Sequence, residues 1–189
     1  MLERVPAALG RALGGVRPGL SRLLEAGPEL ARLPLSIRLA SDAFEDEGRL
    51  PPRFTADGQG VSPPLHWSGV PADAAELVLI VEDADPPLPR PLVHAIAHGL
   101  PAQDGGLSEG ALSGDHRQVA VGRNSYLRTG WLPPDPPAGH GDHRYVFQLF
   151  ALRRPAGIGR NPGRRALREA IAGCGLARGR LTARYARTG

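Results

Sequence analysis

The N-terminal segment carries apolar side chains at helical spacing. Leucine and valine recur every three or four residues, the period of one helix face, at Leu9, Leu13, Val16, Leu20 and Leu23. The pairs Gly14-Gly15 and Pro18-Gly19 interrupt this stripe, so it predicts two short helices rather than one. Such a stripe cannot bury itself, so it must dock on the main body, a second subunit or a membrane surface. We take residues 1–35 as a helical N-terminal extension.

From Ser36 onward the pattern is that of short β-strands. Apolar runs at 77–82 and 92–97 are typical of buried strands, and the aromatic-rich run 145–152 gives the strongest strand signal. Loops rich in glycine, proline and aspartate separate these runs. This spacing favours an antiparallel β-sandwich over alternating strands and helices, so we predict one mainly β domain over residues 36–189.

The C-terminal part predicts one helix and one strand. Leu167, Ala170, Ile171 and Cys174 lie at i, i+3, i+4 and i+7, which is one face of a helix. From 177 to 185, apolar or small residues then alternate with arginine and threonine. That alternation is typical of a half-buried strand with a basic outer face.

Composition and charge exclude several classes of protein. The sequence has 25 glycines, 20 prolines and 23 basic residues, all of them arginine. Without lysine there is no phosphate-binding P-loop, no Schiff-base chemistry and no protein-kinase core. The net charge is +4, but it is unevenly spread. Residues 41–150, with seven arginines against fifteen acids, carry −8 between basic ends, which argues against a continuous nucleic-acid surface.

The compartment is predicted from the single cysteine and from hydropathy. Cys174 cannot form an intrachain disulfide, which suits a reducing environment. The longest strongly apolar run, 77–81, is too short to span a membrane, and glycines and arginines interrupt any signal-peptide core near the N-terminus. We therefore expect a cytoplasmic protein with no transmembrane segment.

Two clusters could carry chemistry. Asp83 and Asp85 end a buried strand at a proline-rigid turn, and His94 lies in the next strand. The second cluster is a proline-rich loop that leads to His140 and His143 at the entrance of the aromatic strand. Stiff loops that carry histidine and aspartate on a rigid sheet suit a preformed polar pocket.

Structural roles compete with this interpretation. An aspartate before proline often only caps a turn, and a lone histidine in an apolar strand is often a hydrogen-bonded core residue. The two aspartates with His140 and His143 could ligate a cation, but there is no third spaced ligand signature, so no metal or cofactor is expected. There is no GxSxG nucleophile motif.

The order of these motifs resembles the phosphatidylethanolamine-binding proteins, and among them the bacterial YbhB/YbcL, Raf kinase inhibitor-like type. The motifs are Asp-x-Asp-x-Pro, a strand histidine, Pro-x-Pro-Pro-x-Gly, and His-Arg-Tyr opening an aromatic strand. The segments 62–67 and 122–126 support the resemblance, which covers roughly residues 37–187. It differs at Trp131, where the family has tyrosine, at Pro133, where it has glycine, and in one extra residue before His143.

The resemblance implies a large antiparallel sheet packed on a smaller one, a C-terminal helix, and a pocket for phosphate-like head groups. Carried over by position, the ligand-binding residues are Asp83, Asp85, His94, Pro134, Gly139, His143 and Tyr145. We expect His94 and His143 to donate to the anion, His143 to lie at the pocket edge, and acidic partners to raise the histidine pKa values above about 6.5.

Three functions remain open. The first is non-catalytic binding of a small anionic or phosphorylated ligand, with possible regulation of a partner protein. The second is a hydrolase that uses His94 or His143 as general base. The third is a scaffold with a vestigial pocket. We favour the first, and we expect a homodimer with residues 1–35 in or beside its interface.

Overall fold

The computed structural model of the chain describes residues 7–113 and 119–187. The first six residues of the predicted extension and the last two of the domain lie outside them. The strands, in chain order, are β1 (Arg38–Ala40), β2 (Gly48–Arg49), β3 (Leu65–Ser68), β4 (Glu76–Asp83), β5 (Leu92–Leu100), β6 (Gly105–Leu107), β7 (Ala120–Val121), β8 (His143–Leu152) and β9 (Gly175–Tyr185). The two α-helices are α1 (Ala7–Ala12) and α2 (Arg164–Cys174).

The strands form two sheets. The small sheet has the order β1-β3-β6, and the large one the order β2-β9-β8-β4-β5-β7. The pairings between described strands are antiparallel except for the short contact of β2 with β9. This confirms the predicted mainly β fold, with a large antiparallel sheet, a smaller one and a C-terminal helix.

Both faces of the large sheet are buried. Leu77, Leu79 and Val81 of β4 belong to the core cluster shared with the small sheet. Val78 and Ile80, between them in sequence, belong to a second cluster on the opposite face. Successive strand residues point to opposite faces, so a continuous apolar run is what a central strand covered on both sides requires.

The outer face of the large sheet is covered by α2 and the N-terminal extension. Leu167 and Ile171 of α2 join Leu24 and Leu30 of the extension in this second cluster, all at most 1% exposed. Each such side chain contributes about 1.5–3 kcal/mol relative to leaving it in water. The extension therefore packs on the body of its own chain.

The internal structure of the extension differs from the prediction. Its α-helix ends at Ala12, and the rest consists of 3₁₀ turns at Leu20–Arg22, Leu24–Ala26 and Leu30–Arg32. Within the predicted stripe, Leu9 and Val16 are half exposed whereas Leu23 is buried. The prediction of two helices was wrong because the glycine and proline breaks leave too few consecutive residues for helical hydrogen bonding.

A buried carboxylate joins the extension, the sheet and α2. Glu82 of β4 is fully buried. Its carboxylate accepts hydrogen bonds from the Leu24 backbone N–H at 2.7 Å, the Gln148 side-chain amide at 2.9 Å and the Arg164 guanidinium at 2.6 Å. A buried charge is tolerated only when donors replace the lost water, so these three donors fix the layers relative to one another.

The Arg164 contact can be tested against its neighbour in the same helical turn. Arg164→Ala removes the only cationic donor that the described residues offer to Glu82, so the free energy of unfolding should fall by about 1.5–3 kcal/mol. Arg165→Ala is the control, because Arg165 forms an exposed i,i+4 pair with Glu169, and such pairs contribute little to stability. Chemical denaturation measures both, and equal losses would show that Glu82 does not depend on Arg164.

Candidate functional site

A cavity of about 260 Å³ lies where β4, β5 and β8 meet the proline-rich loop. Asp83, His94 and His143 are part of its wall. Prolines from two loops form its stiff, apolar sides: Pro86, Pro87, Pro133, Pro136 and Pro137. The two predicted clusters therefore come together in one concave site.

The other four predicted residues do not line this cavity. Tyr145 is buried beside it, with its ring 5.1 Å from that of His94 in an edge-on arrangement. The Pro134 carbonyl accepts the Ala56 N–H at 2.9 Å, which fixes the loop. Gly139 has φ 79°, a backbone conformation that favours glycine, and turns the chain immediately before His140. These residues support the wall from behind.

Asp85, the fourth of these residues, forms a structural ion pair. Two nitrogens of the Arg144 guanidinium each lie 2.7 Å from its carboxylate oxygens, and the Arg144 backbone N–H donates at 3.0 Å. Burial raises the pKa of Asp85, but the hydrogen bonds from Arg144 outweigh burial and hold that pKa below its ordinary value. Asp85 thus anchors the start of β8.

Asp83 begins a chain of hydrogen bonds through two histidines. His143 Nδ1 lies 2.8 Å from Asp83 Oδ2, His143 Nε2 lies 2.8 Å from His140 Nδ1, and His140 Nε2 lies 3.0 Å from the Leu13 carbonyl oxygen. Each of these three contacts needs one hydrogen. Two neutral imidazole rings carry only two N–H hydrogens between them, so the third contact needs one further proton. The positive charge of that proton balances the negative charge of the Asp83 carboxylate, and the group of Asp83, His143 and His140 is neutral as a whole.

The third proton lies between Asp83 and His143. Burial, the nearby His143 and Arg17 together lower the pKa of His140, which favours the neutral ring. A neutral His140 donates from Nε2 to Leu13 and accepts at Nδ1 from His143. Both ring nitrogens of His143 are then occupied, and the residue is only 1% exposed. His143 thus lines the cavity as a buried residue, and its expected donation to an anion, which would cost one of these hydrogen bonds, stays a prediction.

His94 uses only one of its two ring nitrogens for a hydrogen bond to the described residues. Its Nδ1–H donates to the Leu132 carbonyl oxygen at 2.6 Å, which leaves Nε2 as the unprotonated atom. In the described part of the chain this buried Nε2 has no hydrogen-bond partner. Burial lowers the pKa of His94, and the neighbouring Asp83 only partly offsets it. The expectation of a raised pKa was therefore wrong for His94.

The sequence argument missed His140 as a member of the site. Gly139 and Gly141, at φ 79° and 91°, flank it and turn its ring back toward His143. The extra residue before His143 was the available signal, but the i,i+3 spacing of the two histidines suggested only metal ligands. Within residues 7–113 and 119–187, no group of three histidine, cysteine or acidic residues is arranged to hold a metal ion.

The extension also reaches this site. Arg17 donates to the backbone carbonyls of His140 and, at 2.6 Å, Asp142. Any side chain at Gly10 of α1 would collide with the Ala138 carbonyl, so helix and loop are in direct contact. The segment that covers the outer sheet face thus also supports the histidine loop.

Comparison with known proteins agrees with this geometry. The family model for phosphatidylethanolamine-binding proteins matches residues 40–186. The chain belongs to the phosphatidylethanolamine-binding protein family. The match begins after the extension, so Leu13 and Arg17 lie outside the part shared with the family. Membership in this family indicates a ligand-binding protein.

Individual relatives give the same assignment. A UPF0098 protein from Methanothermobacter thermautotrophicus is 35% identical over 153 residues, which cover 80% of this chain and 99% of the relative. The crystal structure of a phosphatidylethanolamine-binding protein homologue from Chlamydia trachomatis matches with a TM-score of 0.74 and 32% identity, over 81% of this chain and 99% of that one. YbcL from E. coli, at 23% identity and TM-score 0.75 over 80% of this chain and 99% of its own, shares the fold.

These relatives confirm the predicted resemblance to the bacterial type of this family. For the described residues, no helix combines the length and the apolar character needed to cross a bilayer. The cytoplasmic location and the homodimer stay predictions.

The lowered pKa of His94 predicts how stability depends on pH. At pH values between the lowered pKa of His94 and about 6.5, the unfolded chain binds more protons than the folded one. The free energy of unfolding should therefore fall as the pH falls through this window. His94→Asn keeps a donor toward Leu132 and removes the titration, so the slope should decrease. His140 and His98, whose pKa values are also lowered, should keep part of it.

Denaturation at several pH values measures the slope. A slope that persists in full in His94→Asn would show that His94 is not buried as a neutral ring.

Proposed function

We propose that the cavity of about 260 Å³ lined by Asp83, His94 and His143, which we call the Asp83 cavity, binds a small anionic ligand that carries a phosphoryl group. It does so without catalysis. The observation that carries this proposal is the buried Nε2 of His94, an acceptor without a partner among the described residues, in the wall of a preformed cavity. A buried acceptor left without a hydrogen bond costs about 1–3 kcal/mol, so a ligand that supplies a donor is favoured.

Arg128 supplies the charge for such a ligand. It lies exposed in the cavity wall, and no acidic residue of the described chain forms an ion pair with it. Asp135, also in the wall, is already bound to Arg187 at 2.7 Å. Asp83 is neutralised by His143 at 2.8 Å. The cavity therefore offers an anion one free cation and little net repulsion, which resolves the conflict of placing a phosphate near aspartates.

The ligand and His94 share one proton. A phosphate monoester loses its second proton near pH 6, and the lowered pKa keeps His94 neutral at pH 7. The hydrogen bond between a ligand oxygen and Nε2 therefore needs a proton, either on the ligand or taken up from solvent. Binding should be linked to uptake of up to one proton and should weaken as pH rises.

The hydrolase alternative could use the free Nε2 of His94 as general base, but the described cavity offers it no side-chain nucleophile. No serine, threonine or cysteine is found in the described cavity wall. His143 cannot accept a proton as general base without giving up its hydrogen bond to Asp83 or to His140. Regulation of a partner protein stays a prediction that the cavity neither requires nor opposes.

The proposal is tested by calorimetric titration with O-phosphorylethanolamine at about pH 6 and about pH 8. Affinity should fall by up to about tenfold per pH unit, and the heat should vary with the ionisation enthalpy of the buffer because a proton is taken up. Arg128→Ala should weaken binding about tenfold through loss of a charged hydrogen bond.

Arg38→Ala is the control, because Arg38 is an exposed arginine on the small sheet and should bind as the unmodified protein does. Tighter binding at high pH, or equal affinity in Arg128→Ala, would contradict the proposed site. Release of phosphate from the ligand would support the hydrolase instead.

A further inference from the structure

A second cavity, of about 740 Å³, lies beside the beginning of α2. Its wall contains six arginines and no acidic residue: Arg22, Arg90, Arg123, Arg164, Arg165 and Arg168. They come from four separate parts of the chain: the extension, the loop between β4 and β5, the segment after β7, and α2. We call this cavity the arginine groove.

Four of these arginines form no ion pair in the described chain, although Glu169 lies close enough to Arg168 to interact with it electrostatically. Arg164 pairs with Glu82 and Arg165 with Glu169. The remaining four are exposed and make no ion pair with any described residue: Arg22, Arg90, Arg123 and Arg168. Elsewhere some surface arginines find acids, as Arg184 does with Glu47 and Arg153 with Asp73, whereas Arg128 does not. The groove is distinguished by the meeting of four such arginines, from separate parts of the chain, in one concavity.

The position of α2 adds to this positive field. Helix N-termini carry a partial positive charge, and acidic residues are the favourable side chains there. The first turn of α2 has no acidic residue, and Gly163 at the N-cap offers no side-chain acceptor. Arg164 and Arg165 occupy this turn instead, and Arg168 follows in the second turn. Like charges gathered at the positive end of a helix are unfavourable in the free protein, so an anion would relieve this repulsion.

We propose that the arginine groove binds a small anion with two or more clustered phosphoryl groups. Two such groups bring about three to four negative charges, close to the number of unpaired arginines, and guanidinium groups bind phosphate oxygens in pairs. The cavity volume lies in the range of small-molecule sites. Leu127 in its wall, 78% exposed, offers an apolar contact for an organic part of the ligand.

Two features distinguish the arginine groove from the Asp83 cavity and from a nucleic-acid-binding surface. The turn 124–128 divides it from the Asp83 cavity: Asn124, Ser125 and Leu127 face the groove, while Tyr126 and Arg128 line the other cavity. The site is therefore independent of the proposed function. A nucleic acid would need an extended basic face, whereas these arginines are gathered in one concavity.

The test is calorimetric titration with inorganic pyrophosphate, with O-phosphorylethanolamine present in excess to occupy the Asp83 cavity. One pyrophosphate should bind per chain, with affinity that falls as salt concentration rises. The double variant Arg90→Ser/Arg168→Ser should bind at least about tenfold more weakly. Its melting temperature should be unchanged or higher, since repulsion is removed. Arg38→Ser, on the small sheet, is the matched control and should bind normally.

Three results would overturn the proposal: equal pyrophosphate affinity in the double variant, equal affinity of the groove for inorganic monophosphate, or displacement of pyrophosphate by duplex DNA at comparable concentration.

Vesicles that contain a bisphosphorylated phosphoinositide form a second arm of the experiment. Binding to them through the same arginines would place the clustered phosphoryl groups on a lipid. Binding of pyrophosphate alone would identify a soluble ligand.

Discussion

The fold depends on satisfying one buried carboxylate. Glu82 lies at the centre of the large sheet with no access to water, and its three donors come from the extension, from β8 and from α2. Removing any donor leaves a charged oxygen short of a hydrogen bond in a medium of low dielectric constant, so the three layers can pack in only one relative position. The same constraint places Arg164 at the start of α2 and so fixes one wall of the arginine groove.

Two successive acids on β4 serve opposite faces of the sheet. Glu82 faces the layer of α2 and the extension, whereas Asp83, one residue later, lines the cavity with His94 and His143. Strand geometry imposes this division, because neighbouring side chains alternate. Each carboxylate has its own donors, and the extension contributes to both hydrogen-bond networks. The Leu24 N–H donates to Glu82, and the Leu13 carbonyl oxygen accepts from the histidine pair that is bound to Asp83. Packing and binding chemistry are thus joined in one short segment.

The fold could be predicted from the sequence where the signal is local. The apolar runs of β4 and β8 and the spacing of Leu167 and Ile171 identify strands and helix without knowledge of their partners. The two polar clusters indicated a pocket, but its individual lining residues could be predicted only through family resemblance, and then incompletely. The role of His140 depends on a carbonyl 127 residues away, and the arginine groove on four distant segments. Nothing in the local pattern shows that Glu25 would neutralise Arg178, or that Asp85 would turn away from the cavity toward Arg144.

The extension has a further consequence for biosynthesis. Glu25 accepts a hydrogen bond from Arg178, 153 residues later, and Leu24 depends on the layer that α2 completes. The extension is synthesised before α2 and β9, so it cannot complete these contacts until about 150 further residues have been made. At about 5–20 residues per second this interval is on the order of ten seconds or more. Throughout it the leucines of the extension lack the complete layer that buries them in the folded chain, so apolar exposure is greater in the nascent chain than in the finished protein.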